Sequence, residues 1–314
     1  EAASVISVNG TTTNYATLPE ALNAARDGDT VKLLANHTTD WDAVYASEEQ
    51  MAVVKTRITL DLNGNTVDYL VVGEVISDEE GGIPVSTDGN LTVKRSLSGG
   101  TAMDGQITTL KFVKGTLAVQ DGVVIGSSSS SSSGLFCEAD SGTVTISGGT
   151  VYNATVGEGA VVTVSGGSMH AGQWRNNGKL NITGGTFGWV KFYNNSGTRI
   201  AISGGTFGSL QNLDNESDLP IAPMSLLEPG HAFYERYNEN TVKDGSRRDY
   251  LQDVTVKEHT HTMVNNKCAC GYTCPHTSVD ESGACTGCNK QFAASITEGD
   301  DVTYYDTFNS ALVY

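Results

Sequence analysis

The sequence predicts an all-β chain whose strands stack as a solenoid, a parallel β-helix, and three observations carry that prediction. Four related phrases, at 143–151, 161–169, 179–187 and 199–207, recur at intervals of 18, 18 and 20 residues. A unit that short cannot bury its own apolar side, so successive copies must stack. Each phrase also alternates with period two. In register, the inward columns are Val144, Val162, Leu180 and Ile200, then Ile146, Val164, Ile182 and Ile202. The outward columns are Thr145, Thr163, Asn181 and Ala201, then Ser147, Ser165, Thr183 and Ser203. Finally, a glycine pair ends each strand, where φ > 0 carries no Cβ clash. A second apolar column, Val151, Met169, Phe187 and Phe207, follows the bend.

The other elements follow in chain order. Leu18, Ala21, Leu22 and Ala25 lie at helical spacing, started by Thr17-Leu18-Pro19-Glu20 and stopped by Asp27-Gly28-Asp29. This helix is expected to cap the first coil, whose edge would otherwise expose unpaired backbone, and Trp41 is assigned to the same cap. Thr30-Val31-Lys32-Leu33-Leu34 reads as the first strand, and 58–67, 90–93 and 116–124 read as less regular coils. The serine run 127–133 has nothing apolar to pack and reads as a mobile loop inserted into one coil. Cys137 reads as a buried thiol or a loop residue. Asn176, Asn194 and Asn212 lie 18 apart and predict an asparagine ladder at a second corner, because Asn tolerates the left-handed region and stacked amides can bond from coil to coil. Pro220, Pro223 and Pro229 mark a C-terminal cover, and 251–256 a connecting strand.

The expected organisation is a β-helix with its cap over 1–228, a connecting segment over 229–258, a small Cys/His module over 259–292, and the start of a further copy of the cap over 293–314. The last rests on Tyr305-x-Thr307-Phe308-x-x-Ala311-Leu312, which echoes Tyr15-x-Thr17-Leu18-x-x-Ala21-Leu22. It points to a longer multi-domain chain.

Five of the six cysteines fall between Cys268 and Cys288. With three histidines they form two sets of four donors: His259, His261, Cys268 and Cys270, then Cys274, His276, Cys285 and Cys288. Structural zinc takes four tetrahedral N/S ligands, so the pattern predicts two zinc ions with no open catalytic position. A small module with few apolar residues would need such a metal to fold. The competing account is a disulfide cluster. It leaves one of the five cysteines over unless that one reaches Cys137, and it gives the histidines no role. A redox Cys-x-x-Cys at Cys285 lacks the surrounding βαβ pattern.

The run 15–22, then Gly28-Asp29-Thr30-Val31-Lys32-Leu33 and Leu60-Asp61-Leu62-Asn63-Gly64, resembles the opening of a pectin-lyase-like right-handed β-helix. The Ser/Thr-Gly-Gly-Thr-Phe coils resemble those of large surface proteins of Gram-positive, often gut, bacteria. The resemblance covers roughly 5–215. It implies a right-handed coil and an extracellular, cell-surface or secreted location. It leaves two classes of function open, polysaccharide lyases and glycoside hydrolases on one side and non-catalytic adhesins on the other.

Composition narrows the choice. A formal charge of −17 over 314 residues argues against nucleic acid or an anionic membrane surface as partner. No stretch approaches the length needed to span a bilayer, so direct membrane insertion is not expected. No signal peptide is visible ahead of Glu1-Ala2-Ala3, which suits a mature or trimmed chain. A lyase needs a Ca²⁺-binding carboxylate cluster beside a base, and a hydrolase needs paired carboxylates. The outward columns offer neither. Asp40, Asp42 and 78–80 read as solvated loop charge, and Asp61 is expected to face outward alone. Binding is better supplied. His170, Trp174, Arg175, Trp189, Lys191 and Tyr193 lie on neighbouring coils beside Phe192. Aromatic rings stack on sugar faces or anchor protein interfaces, while Arg and Lys add directed donors. Against that, some of these aromatics, Phe192 and one Trp among them, are expected to fill the interior. The expectation is a non-catalytic adhesin or display stalk whose partner is a host glycan or extracellular host protein.

Overall fold

Successive repeats stack in the register that their sequence dictates. The computed structural model describes residues 1–76, 85–96, 105–130, 132–170, 172–194, 199–214, 217, 219–237, 240–242, 250–260, 263–264, 267–268, 279–280, 282–285, 290–298, 301–305 and 307–308. Strands β1 (Ala3–Ile6) and β2 (Thr12–Tyr15) make an antiparallel hairpin, followed by helix α1 (Leu18–Ala24), β3 (Thr30–Leu33) and helix α2 (Trp41–Ala46). Next come β4 (Val53–Val54), β5 (Arg57–Asp61), β6 (Thr66–Val72), the hairpin β7 (Glu74–Ile76) and β8 (Val85–Thr87), β9 (Gly89–Lys94) and β10 (Gly105–Phe112). The central repeats supply β11 (Gly115–Val119), β12 (Val123–Ile125), β13 (Gly134–Cys137), β14 (Gly142–Ile146), β15 (Thr150–Val151), β16 (Ala154–Val156), β17 (Val161–Val164), β18 (Ser168–Met169) and β19 (Gly172–Asn176). The last full repeats supply β20 (Lys179–Ile182), β21 (Thr186–Asn194), β22 (Arg199–Ile202) and β23 (Thr206–Asp214), before β24 (His231–Glu235) and β25 (Leu251–Glu258). The tail holds two small antiparallel hairpins, β26 (Met263–Val264) with β27 (Lys267–Cys268), and β28 (Ala294–Glu298) with β29 (Asp301–Tyr305).

Two large sheets result. The first runs β2-β1-β3-β5-β9-β11-β14-β17-β20-β22 and is parallel from β3 onward. Val144, Val162, Leu180 and Ile200 pair in line, as do Ile146, Val164, Ile182 and Ile202, and none exceeds 5% exposure. Thr145, Thr163 and Asn181 stay on the outer side. Ala201, aligned with them, is buried where the chain returns to bridge Ile202 with Leu227. In the second sheet β10 pairs through its first half with β12 and through its second half with β13. Two ladders, β12-β15-β18 and β13-β16-β19, run on side by side and merge again at β21. The serine run occupies the bend between β12 and β13. It is held there by Asn153, whose Nδ2 donates to the carbonyls of Ser130 and Ser133 at 3.1 Å each.

Each glycine pair divides two tasks. Gly149, Gly167, Gly185 and Gly205 take φ of +73°, +80°, +92° and +99° and need glycine for conformation. Gly148, Gly166, Gly184 and Gly204 have no such φ. A Cβ there would overlap the preceding repeat, at Asp121, Ser147, Ser165 and Thr183 respectively. The second apolar column, Val151, Met169, Phe187 and Phe207, pairs in register and is at most 1% exposed.

The asparagine ladder exists, but not at a left-handed corner. Asn176, Asn194 and Asn212 sit in β19, β21 and β23 with negative φ, facing inward and buried. Asn176 Nδ2 donates to Asn194 Oδ1 at 3.3 Å, and Asn194 Nδ2 to Asn212 Oδ1 at 2.6 Å. The last step is diagonal, because β21 and β23 pair with an offset of 20 that sets Asn194 opposite Asp214. Asn194→Ala strands a donor on Asn176 and an acceptor on Asn212, so a loss of about 2–6 kcal/mol is expected. Asn176→Ala, at the end of the ladder, strands only the Asn194 acceptor and also removes a buried Asn176 Oδ1 that has no partner among the described residues, so it is expected to cost less than half as much. Urea unfolding of both variants checks this, and equal losses would count against a ladder.

The ends are covered as physics requires. Thr17 and Glu20 form a reciprocal capping box on α1, and Leu18, Ala21 and Leu22 are buried under it. At the other end β25 pairs antiparallel with β23 and β24 with β25, burying Phe233, Val254 and Val256. Within the segment expected to connect, 229–258, strands β24 and β25 therefore extend the second sheet. Cys137 is a buried thiol ending β13, and burial pushes its pKa up to about 12. Asp61 departs from expectation. It is buried and accepts from the amides of Asn63 at 3.0 Å and Ser96 at 2.8 Å, because it terminates β5 at the Asn63-Gly64 turn whose backbone it caps. In the tail, Tyr305 pairs with Ala294 as Tyr15 pairs with Ala3, so the echo of the cap extends to its hairpin.

Candidate ligand-binding faces

The outer side of the second sheet carries the aromatic and cationic residues singled out in the sequence. Burial alternates along β19 from Gln173 to Asn176, while in β21 Gly188 and Trp189 both face out before Val190 turns in; the outward set is Gln173 and Arg175, then Trp189, Lys191 and Tyr193. Gln173 pairs with Lys191 and Arg175 with Tyr193. Trp189 is 46% exposed, and the Lys191 ammonium lies 5.0 Å from its ring centroid. The Arg175 guanidinium lies 5.0 Å from the Tyr193 ring. Both distances suit cation–π attraction. His170 is exposed in the preceding bend, its ring 5.8 Å from that of Tyr152.

Two of the six candidates are corrected. Trp174 has no exposed surface. It occupies the inward phase of β19, between Ala154 and Phe192, edge-on to Phe187 at 6.5 Å. It is core and cannot touch a ligand. Tyr193 points outward but is only 8% exposed, since Arg175 lies over its ring. The accessible set is His170, Arg175, Trp189 and Lys191.

A second feature joins segments that share no period. Asp40 caps α2 by accepting from the Ala43 amide at 3.1 Å, which sets Trp41 and Tyr45 one helical turn apart on the same face. Trp41 meets Tyr69 of β6 edge-on, with centroids 5.3 Å apart. Tyr69, Val71 and Val113 come from neighbouring strand rows, and with Met51 and Val53 they complete a groove of about 730 Å³. Glu74, Lys111 and Glu138 also line it, with Glu74 held by Lys55 at 2.9 Å and Lys111 by Glu138 at 3.1 Å. Trp41 is thus a groove residue and does not belong to the cap core. The clue in the sequence is the Trp41/Tyr45 pair behind an N-capping Asp.

The outer side of the first sheet holds a smaller hollow of about 470 Å³, lined by residues such as Arg57, Asn90, Thr92, Thr116, Thr143 and Thr145, with no carboxylate among its lining residues. Two described carboxylates elsewhere hold backbone. Asp29 accepts from the Arg26 amide at 2.9 Å, and Asp68 from the Thr39 amide and hydroxyl. Residues 78–80 lie outside the described residues.

Of the predicted zinc ligands, His261, Cys270, Cys274, His276 and Cys288 lie outside the described residues, as does the side chain of Cys268. Among the described residues no three His, Cys, Asp or Glu side chains group to hold a metal. Cys285 is buried, and its amide donates to the Lys290 carbonyl at 2.8 Å. The preceding turn is organised by Asp280, whose carboxyl is lowered by hydrogen bonds from the Ser282 side chain and the Ala284 and Ser282 amides. The Tyr234 hydroxyl meets His259 Nδ1 at 2.8 Å. Comparison with protein-family models, curated proteins and solved structures gives no match.

Proposed function

We propose that this chain is a right-handed parallel β-helix of the pectin-lyase-like kind, displayed on or secreted by a Gram-positive, gut-type bacterium. On this reading it is a non-catalytic adhesin or display stalk that engages a host glycan or extracellular host protein through its exterior. Parallel strands joined by crossovers are right-handed in about 98% of cases, which supports the handedness. The observation that carries the binding role is Trp189, half exposed on a stacked sheet with Lys191 beside its ring. A rigid row presents such an anchor with little ordering cost. Asp61 and Asp29 cap turns, and Glu74 and Glu138 pair with lysine, a poor basis for lyase or hydrolase chemistry at those acids. A glycan array and a host-protein pull-down with the full chain test the proposal. Trp189→Ala is expected to weaken the captured ligand at least about tenfold. Undiminished binding by the variant would remove the site.

The tail is proposed to hold two structural zinc ions on His259, His261, Cys268, Cys270, Cys274, His276, Cys285 and Cys288. Eight N/S donors fit two closed tetrahedral sets, and the Tyr234–His259 bond is of the kind that orients a ligating imidazole. Elemental analysis is expected to find about two zinc ions per chain. Absence of metal together with absence of free tail thiols would replace zinc by disulfides.

A further inference from the structure

We infer that the groove beneath α2 is a separate carbohydrate site that takes a neutral oligosaccharide. It stands apart from the Trp189 row and does not depend on it. Its walls show aromatic surface that the fold does not bury: Tyr45 is 85% exposed and Trp41 43% exposed. Edge-on packing of Trp41 against Tyr69 fixes two ring planes before any ligand arrives. The floor, Val71 and Val113, is apolar, and the volume of about 730 Å³ lies within the range of small-molecule sites. A ligand for this lining must offer an apolar face to the rings and hydroxyls to the polar groups, as a pyranose does.

Charge decides among glycans. Glu74 and Glu138 line the groove, each paired with a lysine, so the groove carries no surplus positive charge. It sits on a molecule of formal charge −17. A uronate or sulfated chain would meet two carboxylates with no cation to spare, whereas sugar hydroxyls can donate to the carboxylates and accept from Lys111.

Isothermal titration of the full chain tests this, with hexasaccharides of β-1,4-glucan, β-1,4-mannan and β-1,4-galactan as neutral probes, and hexagalacturonate and an apolar decapeptide for comparison. At least one neutral hexasaccharide is expected to bind. Tyr45→Ala and Trp41→Ala are each expected to weaken it tenfold or more, while Tyr237→Ala, at an exposed aromatic outside both faces, leaves it unchanged. Tyr45 is nearly free of packing, so its variant keeps the fold, and a superimposable circular dichroism spectrum confirms that. The inference is overturned if no neutral probe binds, if only hexagalacturonate or the peptide binds, or if Tyr45→Ala binds like the parent. The adhesin proposal survives that failure, because its own readout is the Trp189 variant.

Discussion

Gly115→Ala is expected to cost more than about 4 kcal/mol, enough to leave much of the chain unfolded. Gly115 opens β11 at φ +117°, paired with Gly89 in the preceding row and Gly142 in the following one. A Cβ on Gly115 would overlap the Gly89 carbonyl oxygen, and one on Gly142 would overlap that of Gly115. The three glycines form a column in which backbone lies on backbone. Two costs add. The left-handed φ is worth about 1–3 kcal/mol, and relieving the overlap must push adjacent rows away from each other along the whole strand. Gly10→Ala separates the two costs, since Gly10 has φ +86° with nothing within 4 Å of the added carbon. It is expected to lose only the conformational contribution. Thermal unfolding of both variants decides it, and similar melting temperatures would mean that the column is not closely packed.

Phe187→Ala is the second large effect, expected at about 3–5 kcal/mol. Phe187 is fully buried, stacked on Phe207 with centroids 4.7 Å apart and edge-on to Phe192 and Trp174 at 6.3 and 6.5 Å. Removing it takes contacts from rows on both sides at once, and parallel pairing leaves little freedom for the rows to collapse into the space. Phe187→Leu keeps most of the volume and is expected to lose less than half as much. A denaturant-derived loss below about 1 kcal/mol for the alanine variant would contradict this packing.

The repeats are legible in sequence because an 18-residue period places like residues at like heights, as Val144 over Val162 and Leu180 shows. The phase of single residues is less legible. In β21 the buried Phe187 is followed by two outward positions, Gly188 and Trp189, before Val190 turns in. That slip puts Trp189 outside. Trp174 keeps the inward phase of β19, and nothing in the spacing of the two tryptophans tells them apart. Asp61 misleads for a related reason, since a neighbouring turn supplies amides that strand alternation cannot anticipate. The aromatic groove draws on α2, β4, β6 and the rows beyond, segments with no shared period. The glycine column at Gly89, Gly115 and Gly142 lies largely outside the regular repeats, so its common purpose emerges only once those strands are side by side.

An antiparallel hairpin at one end of each large sheet bears on end-to-end growth. β1 runs against the first sheet where it begins, with β2 at the edge outside it, and β25 runs against the second where it finishes, with β24 outside it. Open cross-β assemblies grow because each tip offers the next molecule the same polarity it already contains. Here the outermost strand keeps the sheet's direction, and what works against growth at that tip is its make-up: β2 is four residues long, with Thr12, Thr13 and Asn14 exposed, a short polar edge that templates a further strand poorly.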